Sequence, residues 1–499
     1  MYSYHIFYFP FKWEIDESEK GSLPVCKKKS FSERIDLNQL PKEGNGCWER
    51  MATDPENIEN EKEKDELFDE QQYFFKFVHN VLYDKGDKES PMILHYERKE
   101  PKSGDVSYRI SKYTLYELKV DSINLNLYFT GVGVLTFFLQ NDKYEDYEDI
   151  LNINQYGRRI MPAFHGELTA DPKLTAPIEV CGLTGDDKER YTFRPNAHGL
   201  SIWTPADFIT NLIRDLCDDI KAEPIIDDRM LVNCWYGNNV LSNLAKSSKD
   251  FANSNFWYEY VFVDEPGEPT CQNVEMKEAL LKAATYTRWQ MKGTLYGVSR
   301  YSFVALTDKE CFSKDVLAVH MRTIYSRMFE LVLVQRASVL RFSGEVTNVS
   351  GLRADNDDGR ESQKAIECLY KEYIRFVNQI YFTYVTAQDQ GIELYDMMMK
   401  QNSLSEKVKD LDGEISELYQ YAGLQMDRKE NRNISRLNLI ATILLPATVI
   451  AGIFGMNTYD EVTSYMCPEM FWIVIGIVVA LALSFLPRLI TRLRKRNKR

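Results

Sequence analysis

The sequence predicts an α+β chain. A mixed α/β domain covers 1–345, a linker and long stalk helix cover 346–436, and a two-helix hairpin able to cross a membrane closes the chain. Three observations lead there. The stretch SINLNLYFTGVGVLTFFLQN (Ser122–Asn141) is rich in β-branched and aromatic residues on either side of a glycine-containing turn, the pattern of two adjacent strands. Leu404, Val408, Leu411, Ile415, Leu418, Ala422 and Gln425 keep four-three steps, a helical seam of nearly three heptads. Leu437–Tyr459 and Met470–Pro487 contain no charged side chain, and about 20 apolar residues cross a hydrocarbon core of about 30 Å.

The N-terminus, MYSYHIFYFPFKWEIDESEK, lacks the basic start and long apolar core of a secretory signal. Residues 1–345 are therefore expected in the cytoplasm. The nine cysteines show no CxxC spacing, hence no zinc or thioredoxin-like motif, and scattered thiols suit a reducing compartment. The acidic run TDPENIENEKEKDELFDE (53–70) reads as a solvated helix start or an insertion, and its acids are candidates for a regulatory metal site. NINQYGRRIMP puts Arg158 and Arg159 after a glycine-containing turn. Paired arginines can clamp the phosphate of a nucleotide; surface charge or a buried salt bridge is the other reading. PADFITNLIRDLCDDIKAE and FSKDVLAVHMRTIYSRMFELVLVQRASVL have helical periodicity. DNDDGRES (355–362) lacks the glycine and acid spacing of a calcium loop and reads as the turn before the stalk.

Composition excludes some classes. A formal charge of −13 argues against a general nucleic-acid coat, and no direct nucleic-acid binding is expected. Seven of the last twelve residues are Lys or Arg, so the acidic balance lies in the rest of the chain. There is no Walker loop, no HExxH and no nucleophile–histidine–acid set, so the chain is expected not to be an enzyme.

The stalk helix is expected to run from about Glu361 into the first span, roughly 100 Å if uninterrupted at about 1.5 Å per residue. Gly391 and Gly413 are its weak points. The first span covers 437–456, a loop 457–469, the second span 470–487 and a basic tail 488–499. Arg428, Lys429, Arg432 and Arg436 precede the first span and the basic tail follows the second, which places both ends in the cytoplasm. The loop holds Asp460, Glu461 and Glu469 and no cation, so it is extracytoplasmic and attracts cations. Asn431, Ile434, Asn438, Ala441, Leu445, Thr448 and Gly452 fall at alternating three- and four-residue steps and share one stripe. Polar groups on a membrane helix face protein or water rather than lipid; helix packing through small residues is the other reading of this stripe. One hairpin cannot enclose a pore, so conduction requires a homo-oligomer.

The stretch LPATVIAGIFGMN, with a second span and a basic tail after it, resembles the CorA family of divalent-cation channels. The resemblance implies a funnel-shaped homopentamer in the cell membrane, with the first span lining the pore and Mg²⁺ as the transported and regulatory ion. It implies a selectivity filter at Gly455, Met456 and Asn457. Mg²⁺ sheds water reluctantly, and a ring of Asn457 carboxamides would hold the hydrated ion through neutral acceptors. Asn431, Thr448, Gly452 and Asn457 would be pore-facing polar or small positions, and Ile434, Leu437 and Leu445 an apolar constriction. The family often has Met-Pro-Glu a few residues after the Asn; here Met466, Pro468 and Glu469 follow a longer loop, with Cys467 inserted.

The soluble part is longer than a basic family member needs, and 13% of the chain is aromatic. In this it resembles CorA-like membrane effectors linked to type III CRISPR antiviral defence. That resemblance implies a nucleotide second messenger, such as an S-adenosylmethionine–AMP conjugate (SAM-AMP), binding the cytoplasmic domain. A membrane-anchored scaffold that does not conduct is a third reading.

Overall fold

The structure is a computed structural model. It describes residues 1–15, 31–44, 46–51, 61–86, 91–100, 106–161, 176–183, 189–194, 205–267, 269–350, 359–455, 472 and 476. The chain divides into two units, Met1–Glu417 and Leu418–Arg499.

The first unit is built on one sheet. Its strands are β1 (Ser3–Ile15), β2 (Glu43–Gly44), β3 (Trp48–Arg50), β4 (Ile93–Arg98), β5 (Ser107–Ser111), β6 (Leu115–Tyr128), β7 (Val132–Asn141), β8 (Ile178–Cys181), β9 (Thr192–Phe193), β10 (Ile220–Pro224), β11 (Leu231–Gly237), β12 (Thr285–Tyr286), β13 (Leu295–Val298) and β14 (Ser302–Thr307). The order is β12-β13-β14-β11-β1-β7-β6-β4-β3-β2; β10 pairs with β1, β5 with β6 and β8, and β9 with β8. All pairings are antiparallel except β11 with β14.

Strand β1 is buried on both faces from Ser3 to Phe11, so helices must cover it on both sides. Alternation along the strand decides which side chain meets which helix. His5 meets Asn154 of helix Tyr147–Gly157 at 2.7 Å. Tyr8, of opposite parity, meets Ser326 Oγ of helix Ile324–Ser350 at 2.6 Å. The latter helix is pinned further by Glu330, which accepts from Asn126 and Tyr128 of β6 at 2.5 and 3.0 Å. Tyr8, Tyr83, Tyr96, Tyr108, Tyr156, Tyr191, Tyr236 and Tyr260 are fully buried. Much of the aromatic content thus fills this core.

The expected strand pair within Ser122–Asn141 is present as β6 and β7, joined through Gly131 at φ 71°. A Cβ there would lie 2.6 Å from Arg341 Cζ, so the turn needs glycine for both its backbone and its space. The helix in PADFITNLIRDLCDDIKAE is only Asp207–Arg214. After a turn at 215–219 the stretch runs into β10, because Ile220 pairs with Ile15 and extends the sheet.

The single stalk helix expected from Glu361 is corrected to three helices, Gly359–Gln379, Asp389–Gln401 and Leu404–Gly455. Tertiary bonds hold the first break. Gln335 donates to the carbonyl of Ile380 at 3.0 Å, Phe75 N to Val385 at 2.9 Å, and Thr386 bridges Phe74. The second break turns at Ser403, φ 51°, where Arg336 reaches Asn402 Oδ1 at 3.1 Å. Gly391 does not weaken its helix: it admits Tyr73, whose Oη would lie 2.5 Å from a Cβ. Among the described residues no helix is long and apolar enough to cross a membrane. Side chains at 443, 446–447, 449–451 and 453–455, and nearly all of the second apolar run, lie outside the described residues.

Candidate functional site

The candidate pore stripe lies on the helix Leu404–Gly455. Its four-three spacing over one continuous helix keeps Asn431, Ile434, Asn438, Ala441, Leu445, Thr448 and Gly452 on one face. All are exposed in the single chain, Ile434 at 52% and Leu445 at 63%; Leu437, beside the stripe, is 65% exposed. Contiguous apolar side chains left in water mark a contact surface. The Thr442 and Thr448 hydroxyls bond back to the carbonyls of Asn438 and Leu445 at 2.6 and 2.9 Å, a common way for a helix to satisfy threonine internally. The exposed carboxamides of Asn431 and Asn438 remain as polar groups on the stripe. Gly455 closes the helix. Met456, Asn457, Asp460, Glu461 and Glu469 lie outside the described residues.

Upstream on the same helix the four-three seam has a different job. Leu404, Val408, Leu411 and Ile415 are buried in the core of the first unit, and Tyr373 donates to the Val408 carbonyl at 3.1 Å. The first half of the seam is therefore intramolecular. Along the rest of the seam Ala422 is buried and Leu418 and Gln425 are half-buried, while Leu424, Met426 and Leu437 off the seam, and Ile434 on the stripe, are exposed.

The acids of 53–70 form no metal centre among the described residues. Glu70 is instead an interior partner: it is ion-paired with Arg327 and accepts from Tyr83 Oη at 3.0 Å. The others are described only in part, since 52–60 lie outside the described residues.

Arg158 and Arg159 follow the helix Tyr147–Gly157. Neither of the two sequence-level alternatives, surface charge or a salt bridge, describes Arg158. It is 3% exposed. Its Nη2 donates to Gln155 Oε1 at 3.3 Å and to the Val263 carbonyl at 3.4 Å, while Nε and Nη1 have no hydrogen-bond partner. Burial, then the charges of Arg229 and Arg159, push its pKa down to about 9. Arg229 and Tyr301 complete this group: the guanidinium carbons of Arg158 and Arg229 lie 5.7 and 5.8 Å from the Tyr301 ring centre. Both are distant in sequence from Arg158, and no local signal connects them.

Residues 352–488 match the family model described as CorA-like Mg2+ transporter protein. A curated protein of Bacillus subtilis (strain 168), "Putative metal ion transporter YfjQ", is 29% identical over 99 residues, 19% of this chain. The chain spans 28% of that relative's length. No solved structure matches. The C-terminal region, including the candidate stripe, is therefore similar to CorA-like Mg²⁺ transporters.

Proposed function

We propose that the chain is the subunit of a CorA-like divalent-cation channel that passes Mg²⁺ through a membrane pore gated by its cytoplasmic domain. The observation that carries this reading is the exposed face Asn431–Gly452, which lies inside the region similar to CorA-like transporters. A helix presenting carboxamides, threonines and small residues beside leucines cannot satisfy that face alone. Symmetric copies, five by family resemblance, would satisfy it by turning the stripe inward onto water. The wall then offers neutral oxygen acceptors to a hydrated Mg²⁺, which strong charge would trap. Ile434, Leu437 and Leu445 close the path by excluding water. The two uncharged runs span the membrane with both ends in the cytoplasm, and Gly455, Met456 and Asn457 form the outer filter.

The test is Mg²⁺ uptake into proteoliposomes by wild type and Asn457→Ala. Wild type is expected to conduct Mg²⁺; the variant is expected to lose Mg²⁺ selectivity while the same oligomer forms. Equal leakage by both sinks the filter. The nucleotide-activated effector reading rests on the length of the soluble part and on the aromatic content, much of which the core accounts for, so it stands second.

A further inference from the structure

We propose that the first unit binds a phosphate-class oxyanion between Arg158 and Arg229, beside the face of Tyr301. The reasoning starts from an unbalanced charge. A guanidinium removed from water costs several kcal/mol unless an opposite charge and hydrogen bonds repay it. Arg158 is 3% exposed, yet Nε and Nη1 bond nothing. Each of its two forks, Nε with Nη2 and Nη1 with Nη2, therefore keeps an unused N–H.

The neighbouring carboxylates are committed elsewhere. Asp264 accepts from the Thr270 amide and hydroxyl at 2.8 and 2.7 Å. Asp227 and Asp228 each pair with Arg229 at 3.3 Å. Arg229 and Arg159 are cations and disfavour the charge on Arg158 further.

The cluster is held by backbone rather than by chance side-chain placement. Arg159 and Arg229 form an antiparallel bridge, and Met230 N donates to the Arg158 carbonyl at 2.8 Å. The Tyr301 ring accommodates both guanidinium groups through its negative face. Arg229, with its side chain one-third exposed, leaves an approach from solvent. Planar forks match the oxygens of carboxylate or phosphate. Arg158 and Arg229 can offer N–H groups to separate oxygens of one tetrahedral ion, so a phosphoryl group, with more acceptor oxygens than a carboxylate, is the preferred occupant. This site is independent of the channel reading, since its test reads binding and not flux.

The test uses full-length protein, titrated calorimetrically with inorganic phosphate, ATP and acetate, alongside thermal melting. Phosphate is expected to bind and to raise Tm, with acetate at least tenfold weaker. Tighter ATP than phosphate would assign an esterified ligand; tighter phosphate would assign the free ion. Arg158→Met and Arg229→Gln are each expected to weaken phosphate binding at least tenfold and to abolish the Tm rise. Should Arg158→Met fail to fold, Arg229→Gln on its partly exposed side chain carries the test. No binding of phosphate or ATP by wild type overturns the proposal. So does acetate binding as tightly as phosphate, or Arg229→Gln binding like wild type.

Discussion

Leu411→Ala and Leu437→Ala delete the same atoms from one helix, yet opposite outcomes are expected. Leu411 is 3% exposed in the core of the first unit. Truncation there removes buried methyl groups and leaves a cavity, a loss of about 3 kcal/mol within a usual range of about 2–5. Leu437 is 65% exposed. Its truncation should change the stability of the chain itself by no more than about 0.5 kcal/mol. Urea unfolding followed by tryptophan fluorescence reads the difference, because Trp13, Trp48, Trp235 and Trp257 are fully buried in the first unit. With a slope of about 3 kcal/mol per molar urea, Leu411→Ala lowers the midpoint by about 1 M. Leu437→Ala leaves the midpoint in place and instead reduces the oligomer in detergent sizing. An equal midpoint shift for both variants would refute the division of the helix into an inward-packed seam and an unpartnered stripe.

Gly133 pairs with Phe11, and a Cβ at Gly133 would lie 2.3 Å from the Phe11 ring; Gly133→Ala is expected to cost about 1–3 kcal/mol by overpacking, read as a lower Tm. His5 is held neutral by burial, which pushes its pKa down to about 4. Its unfolded value lies near 6.5, so the unfolded chain takes up the proton first. Stability contributed by this group is therefore present above pH about 6.5 and falls between about 6.5 and 4, by up to about 3 kcal/mol. Urea midpoints at pH 7 and 4.5 should converge more in His5→Gln than in wild type. Ser403 turns between two helices at φ 51°, a conformation that β-branched residues resist; Ser403→Val is expected to lose about 1–2 kcal/mol in the same unfolding assay, and Ser403→Gly to lose none.

What the sequence revealed depended on the range of the interaction that decides each feature. The β6–β7 pair was legible because β-propensity and a glycine turn are local, and the helix that carries the stripe was legible because a helix repeats its faces regularly. The break at 380–388 was hidden because Phe74 and Gln335, far along the chain, decide it. The parallel pairing of β11 with β14 and the central place of β1 are likewise long-range choices. At the candidate sites, the Arg158–Arg159 pair stood out in the sequence, but Arg229 and Tyr301 did not, since only the fold brings them there. The four-three seam announced a helix face without saying that Leu411 turns to its own domain.

The most direct measurement of the central claim compares Leu445→Cys with Ile440→Cys. Residues five apart on a helix point about 140° apart, and both side chains are exposed in the single chain. Mg²⁺ flux is recorded before and after a charged thiol reagent, with wild type controlling for the native cysteines. The account predicts that the reagent blocks flux through Leu445→Cys and spares Ile440→Cys and wild type. Block at Ile440→Cys alone, or at neither position, would contradict a water-filled path lined by the Asn431–Gly452 face.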